Sequence, residues 1–357
     1  RSADGRLGRP RRLGGVQQVL GGAFQGSSLD LLTGTSAPRL PCCASVGVLR
    51  IGPGGSLRRP LRLIGGLTGF TTGVLAPLAG GRELIAIATD RDVWVAQSDP
   101  AGRFGPVHLV NSTGAPEALV ATAIGSGSIV AWTTVSGGGT AAPRRIHVAT
   151  GSGSQAPTGD DAVITVSSGH RIDNLALARG ATAPTVAWIE SWYDRHRHYH
   201  SQLEVADLTG APRVLTVSSA GELASGLAFA ADPAGDQALA WSACTSEDSC
   251  DVRATSRPGG GRFRRSQRLG SIDPSQAPAL AVAPEGGAIV GWIGGGDVHA
   301  AAGRVEGSRG FGRGRLVSGS TLASDLTVAF GPRGRAIAVW TEGTFTPSLV
   351  AAVYRRP

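Results

Sequence analysis

The densest group of chemically able side chains lies in Glu190-Ser191-Trp192-Tyr193-Asp194-Arg195-His196-Arg197-His198-Tyr199-His200. Three of the chain's seven histidines, His196, His198 and His200, stand here at i, i+2 and i+4. On an extended strand that spacing puts all three on one side. Neutral imidazoles are good ligands for Zn²⁺, Cu²⁺ or Ni²⁺, and Asp194 or Glu190 can add a carboxylate. Residues two apart on a strand are roughly 7 Å apart, so one ion reaches all three only if the strand bends. Trp192, Tyr193 and Tyr199 offer another chemistry, stacking against the face of a sugar ring. A long solvated hairpin is the plain alternative to both.

Carboxylates form a second group. Glu117, Asp173 and Asp325 each stand at or shortly before an alternating apolar run, and Glu222 and Asp273 lie a few residues before theirs. Brought together, such groups would bind Ca²⁺ or a cationic or hydroxyl-rich ligand through hard oxygen donors. A pair held about 5–9.5 Å apart would suit glycoside hydrolysis. Equally, Asp and Glu hydrogen-bond the turns that start strands. No Asp-x-Asp-x-Asp-Gly calcium loop, Gly-x-Ser-x-Gly or His-Glu-x-x-His is present, and a chain without Lys cannot carry a phosphate-cradling Gly-x-x-x-x-Gly-Lys. We therefore assign no catalytic residue from the sequence.

The four cysteines bear on compartment. Cys244 and Cys250 flank Thr245-Ser246-Glu247-Asp248-Ser249, polar turn residues between two strand-like runs. A hairpin there brings the two Cα atoms within disulfide range, and such a bond persists only in an oxidising compartment. The alternative is a pair of small buried thiols. Cys42 and Cys43 are adjacent and would bond to each other only with strain. No Cys-x-x-Cys exists, which argues against a cysteine zinc site. The chain opens Arg1-Ser2-Ala3-Asp4, without an initiator Met or a signal-peptide pattern, so we expect a trimmed chain or a missing gene start.

These residues must be positioned by short strands, because one phrase recurs through the sequence. Two or three β-formers lead through a small residue or Val to Trp. The phrase reads Ile129-Val130-Ala131-Trp132, Thr185-Val186-Ala187-Trp188, Ala238-Leu239-Ala240-Trp241, Ile289-Val290-Gly291-Trp292 and Ile337-Ala338-Val339-Trp340. The Trp spacings are 56, 53, 51 and 48, a mean of 52. An alternating run precedes each of the last four, as in Leu175-Ala176-Leu177-Ala178 and Leu280-Ala281-Val282-Ala283. A third strand-like run follows, as in Leu203-Glu204-Val205-Ala206, and then a fourth, as in Val214-Leu215-Thr216-Val217. Each run is short, alternating and bounded by Gly, Pro, Ser or Asp, which is how half-buried strands read.

Four strands every 52 residues resemble the blade of a β-propeller. The resemblance spans essentially the whole chain, and dividing 357 by 52 gives 6.9. It implies an all-β fold: one seven-bladed propeller of four-stranded antiparallel blades over 1–357. The blades run approximately 22–66, 67–113, 114–167, 168–219, 220–270, 271–320, and 321–357 plus 5–20, the N-terminal strand closing the last. No functional subgroup is matched. No Trp is followed by Asp as in WD repeats, the Kelch Gly-Gly pattern is not reproduced, and the sialidase Asp box Ser-x-Asp-x-Gly-x-Thr-Trp is absent. The chain looks most like the degenerate propellers of exported proteins from GC-rich bacteria. The recurring Trp reads as a structural wedge between blades, with its indole N–H paired locally. In propellers generally, turns between second and third strands share one face with the connections between blades, and that face usually holds the ligand. Residues 190–200 would lie on it, and carboxylates at first strands would gather at the mouth of the central channel.

Composition bounds the partners. Hydrophobic residues make up 41% and charged residues 17%, enough apolar surface for a core and too little charge for a disordered chain. No run approaches the roughly 18 apolar residues of a membrane span. All 34 basic residues are Arg, which reflects GC-rich codon usage more than function. Their placement is uneven. The stretches 5–16, 54–62, 97–106, 150–161, 207–213, 255–268, 302–315 and 353–357 read as third-to-fourth-strand turns with the starts of fourth strands. They hold 20 of the 34 Arg and 5 of the 26 acidic residues. Such a basic rim attracts polyanions. Outermost strands also need charge to resist edge pairing. Phe263 and Phe311 are nearly the only aromatics interleaved there, which argues against nucleic acid.

The sequence therefore points to an exported protein, secreted or of the cell envelope, that acts as a non-catalytic binding or interaction scaffold. The expected ligand is a carbohydrate or a protein, on the face carrying residues 190–200. On this reading Trp192, Tyr193, Tyr199, Glu117, Asp173 and Asp325 contact the ligand. His196, His198, His200 and Asp194 are the candidate metal ligands, with Ca²⁺ or Zn²⁺ as possible cofactors. The alternative is a carbohydrate-active enzyme, glycoside hydrolase or lyase, using carboxylates at the channel mouth. A third reading is a structural envelope protein that uses the basic rim.

Overall fold

A computed structural model of the chain describes residues 18–25, 28–36, 44–51, 61–67, 72–111, 114–135, 142–159, 162–178, 184–208, 210–246, 248–306, 310–319, 323–330, 336–343 and 348–354. Cys42 and Cys43, and residues 5–17 of the expected closing strand, lie outside them. The chain separates into two compact units, Arg1–Ser168 and Gly169–Pro357.

The first unit holds three antiparallel sheets. They are β1 (Gln18–Gln25), β2 (Ser28–Ser36), β3 (Ala44–Ile51) and β4 (Leu61–Leu67); β5 (Thr72–Pro77), β6 (Glu83–Ala88), β7 (Val93–Gln97) and β8 (His108–Asn111); and β9 (Ala115–Ile124), β10 (Gly127–Val135), β11 (Arg144–Gly151) and β12 (Ala162–Thr165). Gln18, Val19 and Leu20 belong to β1 of the first sheet.

The second unit holds four. They are β13 (Arg171–Ala178), β14 (Thr185–Tyr193), β15 (Tyr199–Asp207) and β16 (Arg213–Thr216); β17 (Leu223–Ala231), β18 (Gln237–Ser246), β19 (Ser249–Arg257) and β20 (Gln267–Ile272); β21 (Ala279–Val282), β22 (Gly287–Gly294), β23 (Asp297–Arg304) and β24 (Arg315–Ser318); and β25 (Ala323–Phe330), β26 (Ala336–Glu342) and β27 (Ser348–Tyr354).

In every sheet the strands lie side by side in chain order. Within each unit the first strands of consecutive sheets are neighbours: β1 with β5 and β5 with β9, then β13 with β17, β17 with β21 and β21 with β25. Among the described residues, seven such sheets with almost no helix make the fold an all-β propeller. Among the described residues no helix is long and apolar enough to cross a membrane.

Burial follows strand order. The second strands β10, β14 and β18 are buried along nearly their whole length, because each is covered on both faces. The fourth strand β16 is mostly exposed. Sheets stack through their apolar faces. Ala187, Ile189, Leu203 and Val205 of one sheet pack with Ala224, Leu239 and Trp241 of the next.

The five recurring Trp residues sit on second strands and are almost fully buried. Trp292 shows how tightly the wedge fits. A Cβ added at Gly270 on β20 would come within 2.8 Å of its ring, and one at Gly314 within 2.5 Å. His147 stacks on Trp132 with centroids 5.3 Å apart, and His299 on Trp292 at 5.6 Å. The expectation of locally paired indoles is met at Trp340, whose Nε1–H donates to Glu342 Oε1 at 2.7 Å. It fails at Trp132, Trp188 and Trp241, whose buried Nε1 atoms have no partner among the described residues. Trp132 and Trp241 pack among apolar side chains of the adjacent sheet, so packing rather than hydrogen bonding holds these two rings.

Cys244 and Cys250 face each other across β18 and β19 and form a disulfide with Cα atoms 4.0 Å apart.

Candidate functional site

The hairpin β14–β15 runs nine residues down and nine back, in register from Thr185↔Asp207 to Tyr193↔Tyr199. Its tip is the segment richest in aromatic and imidazole groups. Alternation along paired strands decides what meets there. Tyr193 faces Tyr199 across the pair, with ring centroids 5.4 Å apart, and both are exposed, Tyr193 to 68%. One residue back, Trp192 faces His200 on the opposite side of the hairpin.

Trp192 is flanked by imidazoles from both neighbouring strands. His200 on β15 stacks on it at 5.4 Å and 17°. His170, just before β13, stacks at 4.7 Å and 5°. His170 Nδ1 also meets Glu190 Oε1, and the Glu190 side chain is buried two residues before Trp192. The expected aromatic trio is thus divided. Tyr193 and Tyr199 present open rings on one side, while Trp192 spends its ring faces on two histidines.

His196 and His198 fall in the turn rather than on a strand, because the chain reverses at Asp194–His198. Arg197 adopts φ +63°, and its N–H donates to the Asp194 carbonyl. Asp194 organises this reversal. Its Oδ1 accepts the backbone N–H groups of His196 at 2.8 Å and His198 at 2.9 Å. Its Oδ2 lies 3.2 Å from His200 Nε2 and 3.4 Å from His198 Nδ1. These bonds, first that from the His198 backbone and then those from His200 and His196, hold the carboxyl down to about 2. His196 Nε2 accepts from Arg195 Nε at 3.0 Å, which occupies a lone pair a metal would need. Among the described residues no three His, Cys, Asp or Glu side chains converge as metal ligands.

Glu117, Asp173 and Asp325 share one local feature: each lies at a β-bulge of a first strand. A bulge inserts an extra residue and re-aims its side chain. Asp173 is brought to the hairpin tip, where Tyr199 Oη donates to its Oδ2 at 3.3 Å. Burial, and the nearby Asp173 carboxylate, raise the Tyr199 phenol above its ordinary range, against a lowering bond from Ser191. Asp325, at φ +53°, accepts from Thr341 Oγ1 at 2.9 Å. In the other unit, Glu117 accepts from Arg144 Nε at 3.0 Å. Asp325 and Glu117 therefore tie down strand starts within their own sheets.

His170 has no spacing relation to the 190–200 segment. Pairing of Arg171 with Ser191 brings it there from 20 residues upstream of Glu190.

No family model matches the chain, and no curated protein matches it in sequence. Among solved structures, polysaccharide lyase Uly1 superposes with a TM-score of 0.59 at 9% identity, over 94% of this chain and 89% of that one. The β-propeller domain of the Trilobed protease from Pyrococcus furiosus superposes at 0.52 with 7% identity, over 93% and 94%. A puromycin hydrolase mutant superposes at 0.50 with 15% identity over 94% of this chain, which spans about half of that protein's length. At these identities the likeness is one of fold, that of the β-propeller.

Proposed function

We propose that the chain is a carbohydrate-binding scaffold whose contact surface is the tip of the β14–β15 hairpin. The observation that carries this reading is the exposed pair Tyr193 and Tyr199. Two phenol rings stand side by side, next to the Asp173 carboxylate and Arg171. Open aromatic faces stack on the C–H face of a sugar ring, and adjacent carboxylates and guanidinium groups accept and donate hydrogen bonds to its hydroxyls. Trp192, clamped between His170 and His200, acts as the rigid base of this surface rather than its contact. The fold shared with a polysaccharide lyase agrees with a carbohydrate ligand, and the Cys244–Cys250 disulfide agrees with export into an oxidising compartment.

A second reading is an enzyme of the hydrolase or lyase type. It is favoured by two acid–base pairs at the same tip, Tyr199 with Asp173 and His200 with Asp194.

The test is a glycan-array screen of the purified chain, followed by the same screen on Tyr193→Ala/Tyr199→Ala. A specific hit lost in the double variant establishes the surface. The bound glycan is then incubated with the protein. New reducing ends or unsaturated sugar ends mark the enzymatic reading, and an intact glycan marks the scaffold. Absence of any specific hit rejects both.

A further inference from the structure

Away from the hairpin tip, the second unit carries an arginine-lined cleft between two sheets. Strand β16 forms one wall, and the end of β19 at Arg257 with the segment 258–264 that follows it forms the other. The cleft measures about 580 Å³, within the roughly 300–1,000 Å³ of small-ligand sites. Arg213, Arg257, Arg262 and Arg264 line it against a single carboxylate, Asp207.

That carboxylate is already engaged. The Arg257 guanidinium, buried, meets both Asp207 oxygens, with Nη1 to Oδ2 at 3.0 Å. Its Nε donates to Gln237 Oε1 at 2.9 Å, Gln237 Nε2 donates to Thr185 Oγ1 at 2.9 Å, and Thr185 Oγ1 donates to Asp207 Oδ1 at 3.0 Å. The circuit closes on itself, and Arg257 lies over the Phe263 ring at 4.5 Å. Arg257 therefore braces the wall instead of offering free donors.

The other three arginines have no such partner. Among the described residues no carboxylate pairs with Arg213, Arg262 or Arg264. Arg264 is the telling one, because its Nη1 is buried and has no hydrogen-bond partner among the described residues. A buried charged donor without an acceptor is costly, and an anionic acceptor removes that cost. Arg264 also lines a neighbouring cleft of about 310 Å³ with Ser256, Arg265 and Gln267.

We propose that this cleft is an oxyanion-binding site. It takes the sulfate, phosphate or carboxylate group of a small ligand between the guanidinium forks of Arg213, Arg262 and Arg264. Planar guanidinium groups match oxyanions in a way a point charge does not, so the site selects by geometry as well as by charge. The inference is independent of the hairpin-tip reading, since the cleft shares no residue with Tyr193, Tyr199, Asp173 and Arg171.

The experiment is isothermal titration of the full chain with sodium sulfate, sodium phosphate and sodium glucuronate at fixed ionic strength. Saturable binding of at least one anion is expected. Arg213→Ala and Arg264→Ala should each weaken it by about tenfold or more, as loss of a charged hydrogen-bond pair does. Arg264→Lys, which keeps the charge and loses the fork, should fall between. Arg145→Ala, an exposed arginine of the other unit, removes equal charge and should leave binding unchanged, with thermal melting showing every variant folded. Preference for glucuronate identifies a carboxylate-bearing sugar as the ligand, and preference for an inorganic ion identifies a sulfo or phospho group. Absence of saturable binding overturns the proposal. So does equal weakening in Arg145→Ala, or full affinity in an Arg213→Ala/Arg264→Ala double variant.

Discussion

His200 stacks on Trp192 at 5.4 Å across the same strand pair that sets Tyr199 opposite Tyr193. One register therefore builds two surfaces: a buttressed indole on one side of the hairpin and an open tyrosine pair on the other. A shift of one residue would exchange them.

The first prediction concerns that pair. Tyr193→Ala/Tyr199→Ala should lower glycan affinity by about tenfold or more without changing the melting temperature, as removal of exposed aromatic anchors does. Trp192→Ala should instead lower both, because two imidazoles lose their stacking partner. Calorimetric binding and melting curves on the same samples separate the two effects.

Asp194 sets the pH range of the hairpin tip. Its carboxyl is depressed to about 2 in the folded chain, so its contribution is present at and above the ordinary carboxylate range and is lost as pH falls through the folded value. Amide protection of His196 and His198 should hold from neutral pH down to about 4 and fade toward pH 2. Hydrogen exchange followed by NMR measures it. In Asp194→Ala both amides should exchange fast at every pH.

Glu83 behaves in the opposite sense. It is fully buried on β6, and burial first, then the neighbouring Asp30 carboxyl, push its pKa up to about 8 despite Arg50 nearby. A carboxyl whose folded pKa exceeds its unfolded value holds a proton that the unfolded chain releases. Stability should therefore fall as pH rises from about 4.5 to about 8. Urea unfolding at pH 5 and pH 8 tests this, and Glu83→Gln should flatten the difference.

The Trp wedge predicts large packing losses. Trp241→Ala or Trp188→Ala should cost about 3–5 kcal/mol in denaturant unfolding, the range for a buried large aromatic. Gly270→Ala should also destabilise, since its new methyl would stand 2.8 Å from the Trp292 ring. A paired Gly270→Ala/Trp292→Phe variant that recovers part of the loss would tie the effect to that contact.

Removing the Cys244–Cys250 bond, which closes a loop of six-residue separation, should cost about 2 kcal/mol through the freer unfolded chain. Cys244→Ser/Cys250→Ser compared with the oxidised protein in chemical denaturation gives the number.

The repeat was legible in the chain because each sheet is made by neighbouring segments. Short-range alternation, Gly and Pro turns and an in-phase Trp are local signals, and a sheet whose strands lie in chain order needs nothing longer. The Cys244–Cys250 hairpin was readable for the same reason. What only the tertiary structure decided lies across strands and sheets. It placed His170 against Trp192, put His196 and His198 in a chain reversal rather than on a strand, and drew Asp173 to the hairpin tip. It left Arg264 Nη1 without a partner among the described residues while Arg257 closed on Asp207. Each of these depends on a register, a bulge or an inter-sheet contact. Such features are set by how side chains pack at a distance, and no spacing along the sequence records them.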